Sequence, residues 1–159
     1  MEAAHIGELR RFFSEGGALH MLNGTSREEM DRLWRYACQL LQQGETRGAR
    51  NLLQLLIYCD HWNSDYLLSL AVACQSNDAH EDSCIYLAQA ARILVTDPRP
   101  SWLMAQSAVA LNNWQGALEL YESALKLANG QAQWRELIHS AELGLDLCRQ
   151  YCQQQENKP

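Results

Sequence analysis

The sequence predicts an all-α solenoid built from stacked helix pairs, and three observations carry that prediction. The chain repeats itself every 34 residues: Ala37, Ala71 and Ala105 fall in register, as do Leu53, Leu87 and Tyr121, and Leu56, Ala90 and Ala124. Small residues recur where two helices must approach closely, and large ones recur beside them. Each period also carries turn-forming residues within one position of the same place, Gln43-Gly44, Asn77-Asp78 and Asn112-Asn113, which tolerate left-handed or turn geometry.

With Met30, Ser64 and Pro98 as first positions, position 8 is alanine in all three periods and position 20 reads Ala49, Ser83 and Ala117. A period of 34 residues with this size pattern is the tetratricopeptide signature. It predicts three repeats, 30–63, 64–97 and 98–131, stacked so that neighbours bury a continuous core. Position 32 is His61, Val95 and Asn129 where proline is usual, and Ser101 stands where a large residue is usual.

The elements follow in order within a single domain, 1–159. Residues 1–26 read as an N-terminal helical segment: Ile6, Leu9 and Phe13 recur at helical spacing, Phe12 widens that face, and Gly16-Gly17 ends it. A second apolar cluster, Leu19, Met21 and Leu22, ends at Asn23-Gly24. Ser26 followed by Glu29 is a capping box that opens a helix over 27–43. Further helices are expected near 46–58, 64–76, 80–94, 99–111, 114–128 and 131–153. Asp97-Pro98-Arg99-Pro100 breaks the chain between the second and third repeats, and Asn129-Gly130 closes the third. The last helix carries Leu137, Ile138, Ala141, Leu145 and Cys148 along one face and is expected to cap the solenoid.

Composition narrows the function. The 159 residues include 13 Lys and Arg against 19 Asp and Glu, a net charge of −6 with scattered basic residues, which argues against nucleic acid as a partner. The longest apolar stretch, Leu52 to Tyr58, is interrupted by Gln54 and falls far short of the roughly 20 residues that cross a bilayer, so no direct membrane insertion is expected. The start, Met1-Glu2-Ala3-Ala4-His5, has no export or lipidation pattern, so no export is expected. Six cysteines share no C-x-x-C spacing and read as reduced core thiols; Cys148 and Cys152 lack a second ligand pair, so neither metal nor cofactor is expected. No catalytic residues are assigned. Gly16-Gly17 leads into Ala18-Leu19 rather than a phosphate-loop lysine, His5, His20, His80 and His139 form no cluster, and His61 reads as a packing residue.

The first helix of each tetratricopeptide unit lines the concave side, with positions 2, 5, 9 and 12 facing inward. The candidate groove is therefore Trp34, Leu68 and Trp102 at position 5, Cys38, Val72 and Gln106 at position 9, Leu41, Gln75 and Val109 at position 12, and Asp65 at position 2. An apolar surface that the fold does not need to bury marks an interaction site, unless the N-terminal segment or last helix covers it. Asp31 and Asp65 at position 2 would repel a terminal carboxylate. An extended peptide inserting apolar side chains is the better fit.

The stretch Phe12-Phe13-Ser14-Glu15-Gly16-Gly17-Ala18-Leu19-His20-Met21-Leu22-Asn23, set directly before three such repeats, resembles the N-terminus of the class II chaperones of bacterial type III secretion. Cys59-Asp60-His61-Trp62-Asn63-Ser64-Asp65-Tyr66 is similar to that family's link between the first two repeats. The resemblance implies a protein of the bacterial cytoplasm that binds an extended N-terminal segment of translocator clients in its concave groove and keeps them soluble until secretion. It also implies a homodimer when free, with Phe12, Phe13, Leu19, Met21 and Leu22 at the interface. The other reading folds that segment onto the chain's own first repeat. Trp34 stands where the family usually has Tyr or Phe. A function of a different class is also compatible with the repeats: a regulatory or scaffold protein joining folded partners, including a co-regulator of transcription.

Overall fold

Ser26 starts the first repeat helix by a reciprocal pair of bonds: its hydroxyl accepts the Glu29 N–H at 3.2 Å, and the Glu29 carboxylate accepts the Ser26 N–H at 2.9 Å. Two of the amide donors that a helix start leaves without partners are thereby satisfied. The computed structural model describes residues 11–12 and 15–156. Its helices are α1 (Leu19–Asn23), α2 (Arg27–Gln42), α3 (Thr46–Cys59), α4 (Ser64–Gln75), α5 (His80–Ile93), α6 (Arg99–Ala110), α7 (Trp114–Ala128) and α8 (Arg135–Glu156). From α2 onward each helix packs on the next, so α2–α3, α4–α5 and α6–α7 form the three hairpins of the solenoid.

Local chemistry sets each boundary. The Asn63 side chain accepts the Asp65 N–H at 3.1 Å to open α4, Asn113 accepts the Gly116 N–H at 3.0 Å to open α7, and Asp97 accepts the Arg99 N–H at 2.9 Å to open α6. Gly44, Asp78 and Asn112, one repeat apart, take φ of 81°, 56° and 58°. The same left-handed position thus reverses the chain inside all three hairpins, using the residue types that tolerate it best.

The repeated small residues are where the helices meet. Ala37, Ala71, Ala105, Ala49, Ser83, Ala117, Ala90 and Ala124 are fully buried, as are Leu53 and Leu87 beside them. Neighbouring repeats are tied by Gln75, whose amide donates to the Leu103 carbonyl at 2.8 Å and the Ser107 hydroxyl at 2.9 Å. A half-exposed ion pair, Arg50–Asp82 at 2.8 Å, adds little, since solvent screens such pairs to about 1 kcal/mol or less.

The end of the solenoid departs from expectation. Instead of one helix over 131–153, a 3₁₀ turn at Ala132–Trp134 precedes α8, which runs on to Glu156. Gln131 holds the turn: its side-chain oxygen accepts the Trp134 indole N–H at 3.1 Å and the Gln133 amide at 3.0 Å. Towards its end Tyr151 stacks on Trp114 with ring centroids 4.1 Å apart and planes 3° apart. Ala141, Leu145 and Cys148 of α8 pack with Tyr121 of α7 in the last core cluster. Gly144 makes that approach possible, because any Cβ there would overlap the Tyr121 ring.

At the other end, α1 lies on the exit of α3. Ala18 is buried and His20 Nδ1 sits 3.4 Å from the Cys59 carbonyl. The helix expected through Ile6, Leu9 and Phe13 falls outside the described residues, apart from helical residues 11–12. Gly16, at φ 93°, follows in left-handed geometry.

Candidate functional site

Two adjoining chambers lie along the first helices of the repeats. The first, about 290 Å³, is lined by Leu41 of α2, Leu68, Ser69 and Val72 of α4, and Arg99, Trp102 and Leu103 of α6. Four of these, Leu41, Leu68, Val72 and Trp102, are groove positions expected from the repeat register. The second chamber, about 450 Å³, is lined by Arg99 and Trp102 again, together with Gln133, Trp134, Glu136, Leu137 and Ser140. Arg99 and Trp102 therefore form the partition.

The partition is rigidly built. Asp97 takes the Arg99 side chain in a two-pronged grip, with Nε and Nη2 donating at 3.0 and 2.7 Å to one carboxylate oxygen and Nε also reaching the other at 3.1 Å. The guanidinium carbon lies 5.8 Å from the centre of the Trp134 ring. Hydrogen bonding to Asp97 raises the Arg99 pKa, with a smaller contribution from the charge of Asp65, so the group is a permanent cation. Trp102 is fixed by its indole N–H, which donates to the Ser140 hydroxyl of the capping helix at 3.3 Å.

The other expected groove residues are placed differently. Trp34 leans into the first repeat's core beside Tyr66, ring centroids 6.3 Å apart, and its indole N–H donates to Ser69 at 3.0 Å. Gln75 is committed to the tie with α6 described above, and Val109 packs against the third repeat's core. Cys38 and Gln106 are half-buried and line neither chamber, and Asp65 is exposed. Of the residues assigned to a dimer surface, Met21 is 58% exposed and Leu19 half-buried. The Phe12 ring lies over Gly17, while Phe13 and the Leu22 side chain fall outside the described residues.

Arg99, Ser69 and Leu103 were absent from the expected groove. Arg99 occupies position 2 of the third repeat, equivalent to Asp31 and Asp65, so the register alone would have found it. Ser69 and Leu103 share position 6, one residue beyond the position taken to face inward.

The ionisable groups speak for packing rather than reaction chemistry. Burial, and then the charges of Asp31, Asp60 and Asp65, push the Tyr66 hydroxyl up to about 12. Burial likewise raises the thiols of Cys74, Cys84 and Cys148, which keeps them protonated. Among the described residues no cluster of three His, Cys, Asp or Glu could hold a metal ion, and no helix is long and apolar enough to cross a membrane.

Comparison with known proteins agrees with this architecture. A tetratricopeptide-repeat family model matches residues 30–63. The chaperone protein SicA of Salmonella typhimurium is 28% identical over 109 residues, which is 69% of this chain and 66%, just under two thirds, of SicA. A type III secretion complex from Aeromonas hydrophila superposes with a TM-score of 0.89 at 22% identity, covering 92% of this chain and 98% of that one. The Yersinia enterocolitica type III secretion chaperone SycD, in complex with a peptide of the translocator YopD, superposes with a TM-score of 0.76 at 19% identity, covering 79% and 96% of the two chains. In sequence the chain is similar to the chaperone protein SicA, and in fold to SycD.

Proposed function

We propose that this chain is a cytoplasmic chaperone of type III secretion that holds an extended N-terminal segment of hydrophobic translocator clients in its groove and keeps them soluble and secretion-competent. The observation that carries the reading is the first chamber, where Leu41, Leu68, Val72, Trp102 and Leu103 present an apolar recess that the fold leaves open. Burying an apolar side chain there is worth roughly 1.5–3 kcal/mol, so two or three such anchors contribute about 3–9 kcal/mol before the cost of ordering the peptide is subtracted, and main-chain contacts must supply the rest. SycD, a protein of the same fold, is in complex with a peptide of the translocator YopD, which supports peptide binding here. The role requires binding and no catalysis. Met21, exposed beside the buried Ala18, supports the N-terminal segment as a partner surface of the free homodimer.

The test is co-expression with the translocators of the same secretion system, followed by purification of the soluble complex. Val72 is the residue to change, because it lines the chamber yet is 38% exposed, so Val72→Glu leaves the fold intact. The expected result is a soluble complex with the wild-type chain and aggregated translocator with the variant. A variant that solubilises translocator as well as wild type removes the groove from the account.

A further inference from the structure

We propose that Arg99 is the residue that grips the client's main chain as it passes from one chamber to the other, and so fixes the register of the apolar anchors. The inference rests on the groove reading given above and adds to it. An extended peptide laid in an apolar recess brings its carbonyl groups out of water, and each one left without a donor costs about 1–3 kcal/mol. The groove supplies few donors. The indole N–H groups of Trp34 and Trp102 are spent on Ser69 and Ser140, the Gln75 amide on Leu103 and Ser107, and the Gln133 amide on Gln131.

Arg99 is the exception. Asp97 engages only the Nε and Nη2 edge of the guanidinium, and Nη1 donates to nothing among the described residues. The serine hydroxyls at Ser69 and Ser140 belong to one chamber each, whereas Arg99 borders both. Its side chain is 39% exposed, against 13% for Asp97, so the guanidinium is the more accessible partner of the pair. Because Asp97 offsets the charge, the site offers hydrogen-bond donors without the field of a lone cation. That suits a neutral main-chain carbonyl better than it suits an acidic side chain, which Asp65 and Asp97 would disfavour.

The experiment uses the full chain and overlapping 15-residue peptides covering the translocators of the same secretion system. Peptides that bind wild type are measured by calorimetry against Arg99→Met, which keeps an unbranched apolar stem and removes the guanidinium. They are also measured against Arg99→Met with Asp97→Asn, which removes the unpaired carboxylate while Asn keeps the cap of α6. Circular dichroism checks the fold. Both variants are expected to bind about 10- to 100-fold more weakly, the range for a hydrogen bond from a charged donor. A backbone-ester scan of the peptide should then find one carbonyl whose weakening costs the wild-type complex several-fold and the variants nothing. Variants that bind as wild type, or an ester scan with the same pattern in both, overturn the assignment of Arg99 alone. If no peptide binds wild type, or if Val72→Glu has no effect on those that do, the groove reading falls and this inference with it.

Discussion

Gly144→Ala should destabilise this protein, although the substitution replaces glycine by the best helix former in the middle of a helix. Propensity alone favours alanine by about 1 kcal/mol. Against that, a Cβ at this position would lie 2.6 Å from Cε2 and 2.7 Å from the hydroxyl of Tyr121, where carbon atoms normally rest about 3.5–4.0 Å apart. The ring must therefore retreat by roughly 1 Å. Tyr121 is only 6% exposed and packs among Ala117, Ala141 and Cys148, so there is nowhere to retreat to without disturbing the last repeat. Overpacking of this kind costs about 1–3 kcal/mol, which leaves a net loss near 1 kcal/mol and a melting temperature about 2–4 °C lower for a chain of this size.

The assay is urea unfolding followed by circular dichroism on four proteins: wild type, Gly144→Ala, Tyr121→Leu and the double variant. With the ring gone the clash goes too, so Gly144→Ala should stabilise the Tyr121→Leu background by about 0.5–1 kcal/mol. The sign reversal is the signature. If Gly144→Ala raises stability in the wild-type background, the capping helix does not rest on Tyr121 as described.

Three further outcomes can be checked with the same instruments. Ser26→Ala removes the hydroxyl that accepts the Glu29 N–H, leaving only the backbone half of the capping box, and should cost about 1 kcal/mol, read as a lower urea midpoint. Trp34→Phe breaks the bond to Ser69 and should cost about 1 kcal/mol of stability while leaving peptide affinity within two- to threefold, because Trp34 lines neither chamber; a loss of affinity above tenfold would put Trp34 back in the groove. Tyr66 holds its proton up to about 12 in the folded chain, whereas an unfolded tyrosine releases it near 10. Its contribution is thus fully present below pH 10 and lost as pH rises from 10 towards 12. The loss amounts to roughly 2–3 kcal/mol, and Tyr66→Phe should flatten that part of the stability curve.

The repeat register was readable in the sequence because close packing of two helices is unforgiving. Where Ala37, Ala71 and Ala105 sit, no larger side chain fits, so each repeat must declare the position. The turn at Gly44, Asp78 and Asn112 is equally legible, since few residues adopt its backbone. The groove was harder to read because its positions serve two purposes. In one repeat position 5 is a chamber wall, as at Leu68, and in another it is a strut, as at Trp34; position 12 is open at Leu41 and committed to a neighbouring helix at Gln75. The choice depends on what the next repeat places opposite, Ser69 for Trp34 and Ser107 for Gln75, and that is a tertiary fact spread over about one repeat length of sequence.

Charge shows the limit most clearly. With Asp31 and Asp65 at position 2, the sequence pointed to an acid-edged groove. The structure places the third member of that series, Arg99, at the centre and wraps it in Asp97 from the break before α6, so the acidic series ends in a neutral pair at the partition. On the proposed peptide-binding reading, Asp31 and Asp65 disfavour a free carboxylate and Arg99 offers hydrogen bonds at the partition. That combination favours the interior of an extended, uncharged segment over a chain terminus. It also makes a concrete demand on the proposed peptide: its binding stretch should continue beyond the partition, so amidating a peptide's C-terminus should strengthen binding, and a free C-terminal carboxylate placed at the partition should weaken it sharply.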